Sequence, residues 1–352
     1  MKRRRIESSL FTKRKKNSFL IALLSIVLIL SPFSFLGDYV YIEAADSEVD
    51  FVYEVNSDNT VSIIRYTGND TLVEIPETIN HEGNVLDVVE IKGHAFFDQR
   101  EFVKEVSLPK TIKSIDILAF DQVKLEKITV DLDNPYFKDS NGEGLYTKDG
   151  ETLVRGTTSG KIEEGTKVVG NSAFRDAGLT GAITIPDSVE TIGDAAFWNN
   201  EIESVTLPEN NHFTIIPSTA FDGNKLTTIE IPDSVTEIKD RAFNNNELTE
   251  VTLPNGVLEI GTWAFRLNQL TEITLPENLE KIGEQAFASN QLTKIVIPEN
   301  VREINNSFIF NNQVSEVIFY SETTTFDESA FSGLTYDHII FGYEGSDIEP
   351  FA

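Results

Sequence analysis

Residues 270–290 read LTEITLPENLEKIGEQAFASN, and the same phrase returns along most of the chain. Its first half places Leu270, Ile273 and Leu275 on one side of a Thr-rich run, which predicts a short β-strand. Pro276 has no N–H with which to continue a ladder, so we expect the strand to end there. The phrase therefore describes a strand followed by a turn and a compact return.

A large apolar residue, usually a Phe that follows Ala, marks the period of this phrase. It recurs at positions 96, 120, 174, 197, 221, 243, 265, 287, 309 and 331. The steps are 24, 54, 23 and 24 residues, followed by 22 residues five times. A fixed period within the roughly 20–50-residue range of repeat architectures indicates units that cannot bury their apolar face alone and must stack.

Stacking of such units predicts a repeat solenoid in which equivalent strands lie side by side. We expect a right-handed coil with one continuous parallel β-sheet along a face. Phe265 and its equivalents should form an internal aromatic row, because a stripe at the spacing of the repeat is core far more often than a cofactor site.

A second column, of Asn residues, stands at the turn of each unit. Its members are Asn200, Asn224, Asn246, Asn268, Asn290 and Asn312. Asn tolerates left-handed backbone geometry and bonds neighbouring main-chain groups, so the column is expected to satisfy peptide groups at every corner of the coil. The functional alternative is an exposed row of amides for ligands, and the structural role is the favoured interpretation.

The shared pattern, L-T-x-I-x-I/L-P-x-x-V/L-x-x-I-G-x-x-A-F-x-x-N, resembles the BspA-type leucine-rich repeat, also called the Treponema pallidum type. The resemblance covers roughly residues 48–345. It implies a curved solenoid on bacterial secreted or surface proteins, often associated with adhesion. It implies no catalytic residues, so none are carried over to this chain.

The step of 54 residues between Phe120 and Phe174 contains extra chain, which we place at about residues 131–160. Residues 145–148 and 151–154 flank Asp149-Gly150, a strong signal for a two-residue hairpin turn. The acidic residues of this stretch are Asp131, Asp133, Asp139 and Glu143, which invite a calcium hypothesis. Gly150 stands where an EF-hand loop starting at Asp139 would need Glu, so a solvated acidic loop is favoured.

The two ends of the repeat array are predicted to differ from the repeats themselves. Residues 46–90 alternate apolar and polar residues and are predicted to form a strand-rich cap, since an open solenoid end would expose an apolar layer and strand edges. Repeats are assigned to residues 91–341 and a C-terminal tail to residues 342–352. The ninth unit has Phe308-Ile309 in place of Ala-Phe, so local repacking is expected there.

Residues 1–45 have the pattern of an export signal. Eight basic residues precede an apolar run at residues 19–30, and Ala44-Ala45 offers small residues for cleavage. The alternative is an uncut N-terminal anchor, which would be the chain's contact with a membrane. The localisation that follows is secreted or on the extracellular side of a bacterial envelope.

The composition narrows the classes of partner. The chain has 29 basic and 57 acidic residues; residues 1–45 carry eight of the basic and three of the acidic ones, so the remainder has 21 against 54 and a formal charge of −33. Nucleic acid is an improbable partner, because phosphate binding needs a basic patch. The chain has no Cys, which excludes disulfides and thiolate chemistry.

Motifs of catalysis are missing from the sequence. The four His residues, His81, His94, His212 and His338, have no spacing that would gather metal ligands. There is no Gly-x-Ser-x-Gly elbow, phosphate-binding loop or dinucleotide fingerprint. We therefore expect no enzyme, no cofactor and no metal.

Binding is expected on the outward side of the strands, where side chains between the inward aliphatic residues form two columns. The candidate binding face comprises Glu250, Thr252, Glu272, Thr274, Lys294, Val296, Glu316 and Ile318. Most of the Thr residues are explained by strand propensity, whereas Val296 and Ile318 place apolar side chains on the exposed face. A host, matrix or cell-surface protein is the expected partner; a structural spacer is the alternative, and glycan binding a weaker third hypothesis.

Overall fold

The computed structural model describes residues 50–320, 324–326, 329–332 and 339–341. The predicted export signal, residues 1–45, and the predicted tail, residues 342–352, lie outside the described residues. Within the described ranges the chain consists of short β-strands and a single 3-10 helical turn, Phe97–Gln99. No helix among these residues is long and apolar enough to cross a bilayer.

Five strands precede the regular coils. They are β1 (Phe51–Val55), β2 (Val61–Tyr66), β3 (Leu72–Glu74), β4 (Thr78–His81) and β5 (Asn84–Ile91). Strands β1 and β2 pair antiparallel, β2 pairs parallel with β5, and β5 pairs antiparallel with β4. Tyr53, Val61 and Ile63 are buried in one core with Phe96 of the first coil. The strand-rich N-terminal cap of the predicted fold is confirmed, while its boundaries at 46 and 90 stay a prediction.

The next seven strands include those of the hairpin insert. They are β6 (Glu105–Leu108), β7 (Ser114–Ile115), β8 (Lys127–Val130), β9 (Phe137–Asp139), β10 (Gly144–Thr147), β11 (Thr152–Gly156) and β12 (Val168–Val169). Strands β10 and β11 form the expected antiparallel hairpin, with Gly150 in its turn at φ 84°. Strand β11 then pairs parallel with β12, which joins the insert to the coils. At Gly156 a Cβ atom would overlap the ring of Phe174, so glycine is required where the hairpin meets the core.

The remaining strands belong to the regular coils. They are β13 (Thr180–Thr184), β14 (Thr191–Ile192), β15 (Glu201–Thr206), β16 (Ile215–Ile216), β17 (Thr228–Glu230), β18 (Glu237–Ile238), β19 (Glu250–Thr252), β20 (Glu259–Ile260), β21 (Lys281–Ile282), β22 (Lys294–Ile297), β23 (Glu303–Ile304), β24 (Glu316–Phe319), β25 (Thr325–Phe326) and β26 (Ile339–Phe341). Each coil contributes at most one strand to each of two sides. The fold is a β-solenoid with parallel sheets, as the sequence predicts.

The side predicted to carry the sheet, here called the strand face, is divided into several sheets. Its parallel groups are β3-β6-β8, β13-β15, β17-β19 and β22-β24-β26. The stretch 271–275, which the sequence analysis assigned to a strand, has extended neighbours but forms no strand itself. The prediction of one continuous sheet on this face, and of a strand at 271–275, is therefore wrong.

The longest ladder lies on another side of the coil. It joins β16, β18, β20, β21, β23 and β25, two-residue strands that repeat at the Glu-Ile position of the unit. Ring centroids of successive Phe residues are 5.4 and 5.6 Å apart in this region, wider than the roughly 4.8 Å between paired strands. Ring spacing does not decide strand pairing by itself, because β17 and β19 pair although the rings of Phe221 and Phe243 are 5.6 Å apart.

The aromatic row is present as predicted. Phe174, Phe197, Phe221, Phe243, Phe265 and Phe287 stack in sequence with centroids 5.2 to 5.6 Å apart. All six are fully buried, so the row forms the centre of the core from the third coil onward. Phe96 and Phe120 form a separate stacked pair, 5.1 Å apart, on the other side of the insert.

The ninth unit ends the parallel stack. Phe308 and Ile309 are both buried, and Phe308 meets Phe331 edge-on, with centroids 5.8 Å apart and an interplanar angle of 82°. The β-branched Ile309 cannot continue a stack of flat rings, so the neighbouring Phe turns into the core instead. This is the local repacking expected from the sequence.

Candidate functional site

The two outward columns of the strand face are aligned by the strand register. Glu230 pairs with Thr252 in one column, and Thr228 pairs with Glu250 in the other. Val296 pairs with Ile318, and Lys294 with Glu316, on the sheet nearer the C-terminal end. Within each sheet, then, the predicted columns exist as straight rows of side chains about one strand spacing apart.

The candidate residues differ in exposure along these rows. The exposed ones are Glu250, Thr252, Glu272, Thr274 and Lys294, and those of intermediate exposure are Val296, Glu316 and Ile318. Lys294 forms an ion pair with Glu316, with 2.9 Å between Nζ and Oε2. The structure therefore brings Lys294, Val296, Glu316 and Ile318 together in one sheet. Glu250 and Thr252 lie in a separate sheet, and Glu272 and Thr274 lie between the two.

A groove of about 1320 Å³ opens on the strand face where the sheet is interrupted. The unpaired stretch at 271–275 forms one wall and β22 forms the other. Its apolar lining includes Ile273, Leu275, Val296 and Pro298. The rim carries residues of both charges and an aromatic side chain: Glu277, Glu299, Arg302 and Tyr320. Two members of the predicted face, Thr274 and Val296, lie inside this groove.

The contributions of Arg302 and Tyr320 to the groove were not predicted from the sequence. Arg302 lies beyond Pro298, on the turn that leaves the strand, and Tyr320 follows the last residue of β24. Only their place at strand ends, beside an interruption of pairing, brings them to the groove. The repeated phrase offers no signal for such an interruption.

A second, more polar groove of about 520 Å³ lies at the interruption between β15 and β17. It is lined by residues 204–207 and 228–234, together with Glu209, Asn210 and Asn211. Asn210 is already engaged, since its Nδ2 donates to the carbonyls of Asp187 (2.9 Å) and Val189 (2.7 Å). This groove presents few apolar atoms to a partner.

The Asn column has the structural role favoured by the sequence. The Asn268 side chain accepts from the N–H of Leu248 at 3.0 Å and donates to the carbonyls of Phe243 and Phe265. The other members repeat these bonds and are buried or nearly so. They are not the residues with left-handed backbone. That geometry belongs to the residue before, as in Asn245 at φ 54° and Leu267 at φ 56°.

The Asn column begins only after the insert, and an arginine of the hairpin takes a similar role where the insert joins the coils. Val123 and Ala177 occupy the positions equivalent to Asn in their coils. Arg155 of the hairpin is buried and donates to the carbonyls of Val123 (3.0 Å), Arg175 (3.0 Å) and Ser172 (3.3 Å). Burial lowers the pKa of Arg155 to about 10, and the nearby carboxylates of Asp176 and Asp121 act in the opposite direction. The guanidinium is charged at neutral pH and joins the hairpin to two coils, at Val123 and at residues 172–175.

The acidic residues of the insert are engaged by the protein itself. Asp139 accepts from the N–H of Val130 through Oδ2 and from the N–H of Gly142 through Oδ1, both at 2.9 Å. Glu143 forms an ion pair with Lys161 at 2.5 Å. Over the described ranges, no group of three or more His, Asp or Glu residues is arranged to hold a metal ion. Asp139 and Glu143 are therefore bonded within the protein, whereas the favoured prediction was a solvated acidic loop.

Comparison with known proteins now decides the family. The model of the BspA type leucine-rich repeat region matches six copies, over residues 77–140, 156–214 and 214–336. The chain belongs to the BspA-type leucine-rich repeat family. The gap in the match, at residues 141–155, falls in the hairpin insert. No curated protein matches this member of the family in sequence.

Several solved structures resemble this BspA-type chain. A leucine-rich cell surface protein from Faecalibacterium prausnitzii A2-165 is 22% identical, with 88% of this chain and 96% of that one covered and a TM-score of 0.45. A leucine-rich repeat protein from Bacteroides ovatus ATCC 8483 is 21% identical over 89% and 80%, with a TM-score of 0.49. The pneumococcal vaccine antigen PcpA is 18% identical over 88% and 100%, with a TM-score of 0.47.

Proposed function

We propose that this BspA-type protein is an extracellular repeat protein that binds another protein through its strand face, in the manner of an adhesin. The groove at the interruption of the sheet is the observation that carries the proposal. It combines apolar side chains on its lining with a charged and aromatic rim, an arrangement found at protein contact sites. A host, matrix or cell-surface protein is the class of partner.

Charge supports a protein partner over a nucleic acid. With 57 acidic residues against 29 basic ones, the surface repels polyphosphates, whereas a protein can bring basic groups to Glu277 and Glu299 on the groove rim. A glycan is less favoured, because the outward columns carry Thr, Glu, Lys and aliphatic residues and no aromatic platform.

The test changes the groove without touching the core. The purified chain is first used to capture and identify a matrix or cell-surface protein. The variant Thr274→Arg with Val296→Asp then places two charges on the lining of the groove, and we expect it to lose binding to that protein. The matched control is Thr184→Arg with Ala182→Asp, the same charges on two exposed positions of β13 on the same face. Binding by surface plasmon resonance should survive in the control.

Ile318 needs separate treatment. It lies between Val296 and Phe341 in the register of the C-terminal sheet, and its exposure is intermediate. A charge at this position perturbs the sheet as well as the surface, so Ile318→Thr is the milder variant there. Equal binding by groove and control variants contradicts the strand-face proposal. Capture of no partner at all favours the alternative, a spacer that presents a binding domain located elsewhere.

A further inference from the structure

A cluster of arginine and aromatic side chains lies away from the strand face. Arg241 and Arg266 both pack on the indole ring of Trp263, with guanidinium carbons 4.2 and 4.9 Å from the ring centroid. Arg241 and Trp263 precede the buried Ala of successive units, and Arg266 follows the buried Phe. These positions are on the turn that joins the long ladder to the Asn column.

Two exposed apolar residues extend this cluster along the coil. Leu267 is 40% exposed and Phe310 is 47% exposed. Main-chain hydrogen bonds link their two coils through the single coil between them, from Leu267 N to Ala288 O at 3.0 Å and from Ser289 N to Phe310 O at 2.7 Å. We call Arg241, Trp263, Arg266, Leu267 and Phe310 the arginine-tryptophan patch.

The two arginines of this patch form no close ion pair within the described part of the chain, although the charge of Arg241 lowers the pKa of the buried Asp222. No carboxylate oxygen there lies within 4 Å of a guanidinium nitrogen of Arg241 or Arg266, although lysines elsewhere, such as Lys167 with Glu190 at 3.0 Å, form such pairs. The Nε atom of Arg266 and the Nε1 atom of Trp263 are shielded from solvent and have no hydrogen-bond partner. In a chain with formal charge −28, this places two guanidinium groups without close ion pairs on one ring.

We propose that the arginine-tryptophan patch is a second interaction surface, and that it binds an acidic protein segment carrying leucine or aromatic side chains. The two guanidinium groups complement carboxylates, with which arginine forms bidentate hydrogen bonds. Leu267 and Phe310 complement the apolar side chains of the same segment. Trp and Arg are the residues most enriched among those that dominate protein interfaces.

An anionic glycan fits the patch less well than a protein segment. The arginines occupy the ring of Trp263, which removes it as a platform for stacking a sugar. A sulfated or carboxylated sugar also offers no apolar counterpart to Leu267 and Phe310. The arginine-tryptophan patch is separate from the groove of the strand face. Either binding proposal can therefore be wrong while the other is right.

The experiment is a selection from a phage-displayed library of 12-residue peptides on the purified chain, with counter-selection against the Arg241→Gln/Arg266→Gln variant. We expect the surviving peptides to contain acidic and leucine or aromatic residues. Their affinity for the variant should fall about tenfold or more, as at interface residues that dominate binding. The Phe310→Ser variant should weaken the same peptides.

A charge-matched control separates the patch from the overall charge of the chain. Lys167→Gln with Lys281→Gln also removes two positive charges, but from residues that already have Glu partners. The peptides should bind this control like the unmodified chain, and all variants should give the circular dichroism spectrum of the folded protein. The proposal is overturned if no peptide survives counter-selection, if the surviving peptides lack acidic residues, or if the control loses binding equally. Competition by dextran sulfate, without competition by an acidic peptide, overturns it in favour of a glycan.

Discussion

Asn268 ties its own coil to the preceding one through Phe243, whose carbonyl oxygen accepts from Nδ2 at 2.9 Å. The same side chain accepts from the N–H of Leu248 at 3.0 Å and donates to the carbonyl of Phe265 at 3.1 Å. One buried amide thus satisfies a donor and two acceptors at a corner where no strand pairing is available. The corner is stable because both ends of the amide are used.

Replacing Asn268 by Asp tests this double role at constant shape. The carboxylate still accepts from Leu248 but cannot donate to either Phe carbonyl, and it carries a charge into a buried site. We expect a loss of about 2–4 kcal/mol in the free energy of unfolding. Asn255→Asp, on an exposed side chain, is the control and should change it little. Urea denaturation followed by circular dichroism measures both, and equal losses would show that the amide of Asn268 is dispensable.

The second prediction concerns Phe265, in the middle of the aromatic row. Its ring lies 5.4 Å from that of Phe243 and 5.6 Å from that of Phe287, and it is fully buried. Phe265→Ala removes the stacking contacts with both neighbouring rings and leaves a cavity, so we expect the free energy of unfolding to fall by about 3–5 kcal/mol. Thr274→Ala, at an exposed position on the strand face, should cost about 0.5 kcal/mol or less. Similar unfolding midpoints for the two variants would contradict the register of the repeat.

Much of this arrangement could be predicted because it depends on the period alone. The spacing of Phe265 and its equivalents identifies the core, and the position of Asn268 relative to them identifies the corner. The Asp149-Gly150 pair identifies the hairpin without reference to the rest of the fold. Each of these signals is local or strictly periodic.

What could not be predicted depends on distances between coils. The ladder that includes Glu259–Ile260 consists of two-residue strands, too short for an alternating pattern to appear in the sequence. The interruption at 271–275, and with it the groove, has no signal in the repeated phrase, since residues 270–275 match the pattern of units whose strands do pair. The bonds of Arg155 reach two turns, at Val123 and at residues 172–175, that are far apart in the sequence, so no spacing rule points to them.

The third prediction concerns the contribution of Arg155 to stability. Its guanidinium is buried and is the only described side chain that donates to Val123, Ser172 and Arg175 carbonyls together. Arg155→Met should cost about 3–5 kcal/mol, because three carbonyls lose their donor and the buried carboxylates of Asp121 and Asp176 keep Arg175 but lose this second cation. Arg155→Lys keeps the charge but not the planar set of donors, and should recover only part of the loss.

The control for Arg155 is Arg65→Met, at a solvent-exposed arginine of β2. Its only ion pair among the described residues is with Asp98, at 3.9 Å across two exposed side chains, so little stability should be lost. If Arg155→Lys is as stable as the unmodified protein, charge alone joins the insert to the coils, and the proposed similarity of its role to that of the Asn column is wrong.

Export makes the fourth prediction. If residues 1–45 are a cleaved signal, the protein recovered from culture medium should begin near Ala45 or Asp46. Edman sequencing or intact-mass measurement of the recovered chain gives the cleavage position. An intact N-terminus on a chain found in the membrane fraction would favour the uncut anchor instead.

The fifth prediction concerns a buried carboxylate at a position where the next coil has an amide. Asp222 follows Phe221 as Asn244 follows Phe243, and Nδ2 of Asn244 donates to Oδ1 of Asp222 at 2.8 Å. Burial raises the pKa of Asp222 above its ordinary value, although the bond from Asn244 and the charge of Arg241 lower it. A carboxyl whose pKa is higher in the folded state is most favourable to folding when protonated, and that contribution is lost as pH rises through the folded pKa.

At neutral pH, therefore, the charged Asp222 opposes folding, and Asp222→Asn should raise the free energy of unfolding while its amide oxygen still accepts from Asn244. The gain should shrink as pH falls through the acidic range, because Asp222 itself then becomes neutral. Urea unfolding at several pH values measures this, with Asp233→Asn on an exposed loop as the control that should show no such gain. A variant that is less stable than the unmodified protein at pH 7 would mean that the attraction of Arg241 for the Asp222 carboxylate outweighs its burial.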